Sequence, residues 1–474
     1  MEITGNTYQL EAFSSVPTYW CNFIFDYPEY AVRESVRPPT NNENSARKVS
    51  VVPQQPLALT KQSNNTTDPN IFIPEQLLPF YRLYRPTPLR RALRLEQHLG
   101  VNACIYFKFE GANISGSHKL NTALAQAYYY SQAGIKHLVT GTGAGQWGTA
   151  IAYACRLFGL ECTVFMVGAS LRQKPQRGSM MELFGATVYE SPSTITKVGR
   201  DAVKRDPERV GTLAVATGEA LEFAHERKRT RFAVGSGENC VLLHQTIIGI
   251  EAAEQMIALG DFPTYVVACM GAGSNFGGVG LPFLRAAREQ RRTVRLLAVE
   301  PTACPKLTRG KYAYDINDFS GTTPITKMYT LGSKYIAPPI HAGGLRYHGT
   351  SPFLSAMYAD KMFDAMAVDE DVALNAGLLF AEMENVLAAP ESAHAIAGAI
   401  TLARQHPHDA EPLVILINIS GHGLLDINAY KKYRANELES CWPDDKLLKE
   451  SLLEVEKFNS QIEASLVKTG GLER

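Results

Sequence analysis

From about residue 104 the chain alternates between short runs that are apolar almost throughout and longer segments whose apolar positions return every three or four residues. Runs of the first kind are "CIYFKF", "HLVT", "CTVFMV", "YVVACM", "VRLLAVE" and "LVILINISG", and they read as strands buried on both faces. Between them lie "HKLNTALAQAYYYSQAG", "GQWGTAIAYACRLFG", "PQRGSMMELFG", "VLLHQTIIGIEAAEQMIALG", "FGGVGLPFLRAAREQ" and "SAHAIAGAITLARQ", which carry the helical period. Strand and helix in alternation imply parallel sheets with right-handed crossovers, covered by helices on both faces. The expected fold class is therefore α/β with two parallel-sheet domains. Ligands in such folds bind beyond the carboxyl ends of the strands.

A chain of 474 residues exceeds what one core usually supports, so the alternating region should divide in two, at 71–240 and 241–435. Residues 1–70 read as an N-terminal extension, partly disordered, because 38–70 is rich in Pro, Asn, Ser and Thr. Residues 436–474 are highly charged with scattered Leu and read as a peripheral helical tail.

Lys plus Arg and Asp plus Glu both number 47, which leaves no net field to attract nucleic acid or an anionic membrane. The 8 cysteines include no CxxC pair and several sit in apolar runs, as expected of reduced core residues. No Cys/His cluster has metal-ligand spacing, so no metal site is expected. The first residues show no basic segment followed by an apolar one, and no run is long enough to span a membrane; the expectation is a cytoplasmic protein.

Two glycine-rich loops follow apolar runs. In "VTGTGAGQWG", Gly143, Gly145 and Gly148 have the GxGxxG spacing of a dinucleotide cradle; "GAGSNFGG" begins at Gly271. Glu161 and Glu300 stand roughly where a ribose-binding acid would be needed in each case, so spacing does not decide between them. Lys119 does. It lies at the start of a predicted helix, preceded by Gly116, Ser117 and His118 and followed by Asn121. A helix N-terminus disfavours a cation, which should lower the lysine pKa and suit it to condense with an aldehyde.

The segments "GSHKLNTALAQA", "TGAGQWGTA", "GAGSN", "HAGGLRYHG", "APESAHA" and "NISGHG" occur in an order and spacing that resemble tryptophan synthase β chains, most nearly their second subfamily. The resemblance runs from about residue 17 to about 435. It implies an enzyme of fold type II that holds pyridoxal 5'-phosphate (PLP) between two domains, with room for a monovalent cation as a further cofactor. Lys119 matches the lysine that forms the Schiff base and shuttles the α-proton; His118 and Asn121 match its cofactor-side neighbours. Gly271, Ala272, Gly273, Ser274 and Asn275 match the phosphate cup, with Ala272 where the family usually has Gly, so that φ there must be negative. Ser420 matches the partner of the pyridine nitrogen, although a serine after a strand also suits a helix N-cap. Glu391 matches an acid beside the cofactor ring. Thr142, Gly143, Ala144, Gly145, Gln146 and Trp147 match the loop that grips the substrate carboxylate. Arg346 matches a position facing the substrate side chain, where it would hold an acidic donor group or close an ion pair. His244, His341 and His348 read as structural.

One position departs from the family. The residue before "TGAGQ" is usually a glutamate that protonates the leaving hydroxyl of serine; here it is Gly141. Its loss removes an acid/base group worth typically about 10²–10⁴-fold and should open space beside the reacting carbon. The remaining machinery is intact. The expected activity is β-replacement through an aminoacrylate, joining serine or an activated serine analogue to a nucleophile other than indole. The alternatives are tryptophan synthesis from serine and indole, with another carboxylate supplying the acid, and an inactive PLP-binding homologue. A small-molecule amino acid donor, a nucleophilic acceptor and a second copy of the chain are the expected partners, with an α chain undecided.

Overall fold

A computed structural model describes residues 15–31, 35–36, 55–205, 207–438 and 442–468. Two sheets organise it. Ala186–Ser191, Glu161–Val167, His137–Thr142 and Thr230–Phe232 lie in that order, all parallel. The larger sheet runs Asp364–Val368, Arg295–Pro301, Tyr265–Cys269, Leu413–Ile419, Ala103–Phe109 and Leu89–Arg91, parallel except for the last pair. Its central strands are buried along almost their whole length, as their unbroken Val, Ile and Leu require.

The sheets do not follow the division at residue 240. Ala103–Phe109 pairs with Leu413–Ile419, Ile105 opposite Ile415 and Phe107 opposite Ile417, so the chain around 89–109 belongs to the later sheet. An apolar strand carries no mark of which apolar neighbour it joins, and sequence proximity pointed to the wrong sheet. One consequence concerns Lys119: its helix, Lys119–Gln132, begins just after the chain leaves the larger sheet and packs against the helix Gln146–Leu157 of the smaller one.

Part of the N-terminal extension is built into the body. Tyr19–Cys21 pairs with Asn70–Phe72, Ser35–Val36 with Ile325–Thr326, and Leu57–Ser63 is a helix with Leu59 buried. Of the segment expected to be disordered, 38–54 lies outside the described residues. The C-terminal tail is the helix Asp445–Lys468, which buries Leu448, Val455 and Ile462; Asn459 holds both the N–H and the carbonyl of Tyr314.

The helix Asn239–Ala258 is buried along most of its length and carries a polar cluster that composition alone did not reveal. Arg85 donates to Glu110 at 2.7 Å and Glu251 at 2.9 Å, and Lys108 donates to Glu251 at 2.6 Å, all with side chains fully buried. Burial lowers the Lys108 pKa, whereas the Arg85 and Lys108 cations outweigh burial at Glu251 and hold its pKa down. Such a set is costly to break, since removing one partner leaves a buried uncompensated charge. It locks the strand Ala103–Phe109 to that helix. His244 is structural as expected: burial pushes its pKa down to about 3, and it lies between Thr122 and Gln62.

Candidate active site

A cavity of 240 Å³ lies where strands of both sheets end. His137–Thr142 brings Gly141 and Thr142 to its wall, Tyr265–Cys269 brings Cys269 and the loop after it, and Leu413–Ile419 is followed at once by Ser420. Helix N-termini face the same space: Gly145 ends one loop at φ 95° and Gly273 the other at φ 122°, and the helices Gln146–Leu157 and Ser274–Gln290 start there. Both glycines adopt the left-handed backbone that other residues avoid.

Lys119 opens its helix with its side chain inside the cavity wall. Its Nζ donates to the Gly235 carbonyl at 2.6 Å and to Ser274 Oγ at 2.8 Å. Its pKa is lowered to about 8, as expected, but the leading cause is burial rather than the helix end; Cys269 and Glu391 pull the other way. His118 Nε2 lies 3.1 Å from the same Ser274 Oγ, and burial together with Lys119 holds its pKa well below the usual histidine range.

Ser420 does not cap a helix. The next helix begins at Ile427, and Ser420 Oγ lies 2.8 Å from Ser392 Oγ and 3.6 Å from Cys269 Sγ, a wall of neutral groups. Burial raises the Cys269 pKa to about 11, so its thiol is neutral as well. Glu391 stands in the first turn of the helix Pro390–Gln405, and its Oε1 accepts the Gly344 N–H at 2.8 Å. Ala272 is not among the residues with positive φ, as its methyl requires.

The cavity wall thus includes His118, Lys119, Gly141, Thr142, Gly143, Ala144, Gln146, Trp147, Gly271, Ala272, Gly273, Ser274, Asn275, Glu391 and Ser420. Gly145, which ends its loop, is not on that wall, and two further expected residues are elsewhere. Asn121 is turned into the buried cluster, where its amide donates to Gln245 at 2.9 Å and its oxygen accepts from Tyr84 and Arg85; a helical residue two beyond Lys119 faces away from it. Arg346 lines a separate small cavity and donates to the Ala337 carbonyl at 3.0 Å. Lys119 and His118 are the basic side chains on the main cavity wall among the described residues, so no guanidinium waits there for an acidic donor group.

The space expected beside Gly141 is filled. A Cβ at that position would stand 2.7 Å from the Ala216 carbonyl carbon and 2.8 Å from the Thr217 N, backbone atoms of the helix Leu213–His225. That helix buries Ala216, Ala220 and Ala224 against Val139 and Phe165, and its small residues let it approach closely. Its other stripe, Leu213, Thr217 and Leu221, spaced by four, lines the cavity. A side chain at position 141 would have to displace main chain.

Sequence reasoning missed a third glycine-bearing junction, "VGSGEN". It follows the strand Thr230–Phe232, opens the helix Asn239–Ala258, and puts Gly235, Ser236, Gly237 and Glu238 on the cavity wall. Its strand–glycine–helix form matched the two loops already singled out and was the available signal.

Several buried polar atoms on the cavity wall have no hydrogen-bond partner among the described residues. They are Ser117 Oγ, Glu391 Oε2 and, at the Gly271–Asn275 end, Thr350 Oγ1 and Ser351 Oγ. The Ser351 N–H donates to the Ala272 carbonyl at 2.8 Å, which sets its hydroxyl beside the loop. Hydroxyls, the N–H groups of a helix start and an uncapped first turn together fit a phosphate. A buried lysine of lowered pKa nearby fits an aldehyde.

Comparison with known proteins agrees with this fit. Residues 81–421 match the family model described as pyridoxal-phosphate dependent enzyme, and the chain belongs to that family. The structure resembles two solved enzymes. They are an L-serine ammonia-lyase from Rhizomucor miehei (TM-score 0.56, 18% identity, covering 75% of this chain and 99% of that one) and threonine deaminase isoform 2 from Solanum lycopersicum (0.56, 19%, 77% and 93%). The fold is thus type II among PLP enzymes. More particularly, the chain is 47% identical over 415 residues to "Tryptophan synthase beta chain 2" of Thermotoga maritima, covering 88% of this chain and 97% of that one. It is 45% identical over 432 residues to "Tryptophan synthase beta chain" of Thermococcus gammatolerans, covering 91% and 97%. It is a PLP-dependent lyase or synthase of the tryptophan synthase β type. No helix among the described residues is long and apolar enough to cross a membrane.

Proposed function

We propose that this enzyme joins the three-carbon unit of serine, or of an activated serine analogue, to a nucleophile other than indole. The observation that carries this reading is Gly141, closed off by the Ala216–Thr217 main chain, so that no acid acts from that position. Bound in the cavity, the cofactor supplies an electron sink for charge developing at the donor's α-carbon. Lys119, with a pKa of about 8, carries that cofactor and takes the α-proton. The Gly271–Asn275 loop with Thr350 and Ser351 would hold the cofactor's phosphate. The Ser420 hydroxyl, paired with Ser392, would offer the pyridine nitrogen an uncharged partner, which favours elimination over transamination. The loop Thr142–Trp147, at the start of the helix Gln146–Leu157, holds the donor carboxylate.

Leu213, Leu221, Phe232, Val234 and Pro324 give the rest of the cavity an apolar wall for the acceptor. A second reading, serine plus indole to tryptophan, is favoured by the identity to proteins named tryptophan synthase beta chain. The test is product formation by the holoenzyme from L-serine and O-acetyl-L-serine with indole, phenol and thiophenol as acceptors, followed by mass spectrometry. The proposal expects indole to be the poorer acceptor. Indole outpacing both alternatives would replace it with the second reading. A homodimer belongs to the same proposal, and light scattering of the purified protein checks it.

A further inference from the structure

If the loop Thr142–Trp147 takes the donor carboxylate, it does so with N–H groups and neutral side chains, and no guanidinium among the described residues stands on the wall to balance the charge. One lies behind it. Arg177 is in the first turn of the helix Pro175–Leu183, in the crossover between the strands Glu161–Val167 and Ala186–Ser191 of the smaller sheet, and its side chain is fully buried. Its stem runs under the loop: a Cβ on Gly145 would stand 3.0 Å from Arg177 Cβ and 3.2 Å from Cγ, so the glycine lets the two meet. Beyond the stem, Nη1 reaches the Ser115 carbonyl at 3.4 Å, two residues before Ser117 of the cavity wall.

The guanidinium is short of anions. Its carboxylate partner among the described residues is Asp426, which follows the strand Leu413–Ile419 of the larger sheet and precedes the helix Ile427–Arg434. Asp426 lies 3.6 Å from Arg177 Nη2 but in closer contact with Lys174 Nζ, and all three side chains are buried. Arg177 Nε and Nη2 make no hydrogen bond among the described residues. Nearby His422 adds no charge, because burial and then the Arg177 cation push its pKa down. Two buried cations thus share one carboxylate, and a buried charge without a full counter-ion is costly. A carboxylate arriving on the other face of the glycine loop lowers that cost.

We infer that Arg177 is the buried counter-charge of the donor's carboxylate. It acts through the loop without touching the donor, and it sets a preference for a free amino acid over one whose carboxyl group is masked. It is a positioning and specificity group rather than a catalytic one. This inference deepens the β-replacement reading and rests on the loop Thr142–Trp147 being the carboxylate site.

The test titrates holoenzymes with L-serine and with L-serinamide, which lacks the negative charge, and follows the visible band of the lysine-bound cofactor. Wild type should bind L-serine the more tightly. Arg177→Met keeps a stem beneath Gly145 and removes the charge. It should load cofactor, leave L-serinamide binding unchanged and weaken L-serine binding by about tenfold, the scale of one unit charge acting through a thin buried layer at a dielectric of about 20. Arg177→Lys should restore most of that loss. Asp426→Asn, which removes the competing negative charge, should shift the preference further toward L-serine. Equal weakening of both ligands in R177M overturns the inference, since it makes Arg177 a brace for the loop, and so does unchanged L-serine binding. If R177M does not load cofactor, D426N decides: a preference for L-serine that rises upholds the inference, and one that does not rise overturns it. A wild type that binds both ligands alike overturns the carboxylate reading of the loop itself, whereas a wild-type preference that survives in R177M overturns the role of Arg177 alone.

Discussion

The glycine loop at Gly143–Gly148 and the one at Gly271–Gly278 begin alike, each leaving a buried parallel strand and opening a buried helix through a glycine with positive φ. They differ in what lies beside them. Ser274 of the second loop contacts both Lys119 and His118, and the buried hydroxyls Thr350 and Ser351 line the cavity with it. The first loop has no such contact with the lysine. Its own threonine, Thr142, caps the Gly148 N–H at 3.2 Å, and its Trp147 donates to Thr140 at 2.6 Å, so its side chains brace the loop. One segment spans both: a Cβ on Gly143 would meet the Gly343 carbonyl at 2.9 Å, and one on Gly271 the Gly344 carbonyl at 2.6 Å. Paired glycines in "HAGGLRYHG" let that backbone pass between the loops. A glycine motif therefore states that something approaches closely, and its surroundings decide what.

The largest expected effect comes from the residue that separates the loops. Lys119→Ala should abolish the visible band of the lysine-bound cofactor and with it β-replacement, while leaving the fold intact; an unchanged spectrum would refute the assignment. Next come the loops themselves. Gly273→Ala, strained at φ 122° and pressed against Leu354 Cδ1, should weaken cofactor binding by about 10–100-fold, from roughly 1–3 kcal/mol of strain. Gly143→Ala should instead raise KM for the amino acid donor with little change in cofactor affinity. Titration of each apoprotein with PLP, set beside donor saturation curves, reads the split. The same change in both variants would mean that the loops share one ligand.

Gly141→Glu should destabilise the protein by about 1–3 kcal/mol through overpacking against Ala216 and Thr217, and should not raise activity with indole. Thermal unfolding and the indole assay check the two halves; a gain of indole activity at unchanged stability would show that the helix Leu213–His225 yields readily. The smallest effect is in pH. Because burial lowers the Lys119 pKa to about 8, its neutral amine fraction grows with rising pH below that value. Cofactor uptake by apoprotein should therefore quicken by about tenfold per pH unit and level off above 8. A rate still climbing in the same way well past that pH would show that Lys119 is not the group being read.

The alternation of apolar runs was enough to determine the α/β class, because a strand covered on both faces and a helix with one apolar stripe differ in period whatever surrounds them. The positions of both glycine loops and of Ser420 were also legible, since each follows directly from a strand end, and that of Lys119 from its place at a helix start. What the sequence could not determine depends on which distant surfaces meet. Ala103–Phe109 joined the later sheet because buried apolar strands are interchangeable in pattern and only packing selects the partner. Asn121 and Arg346 turned away from the cavity because direction on a helix or a turn is set by neighbours. Gly141 resembled an opening and proved to be a close contact, since an absent side chain leaves room only where nothing else has moved in.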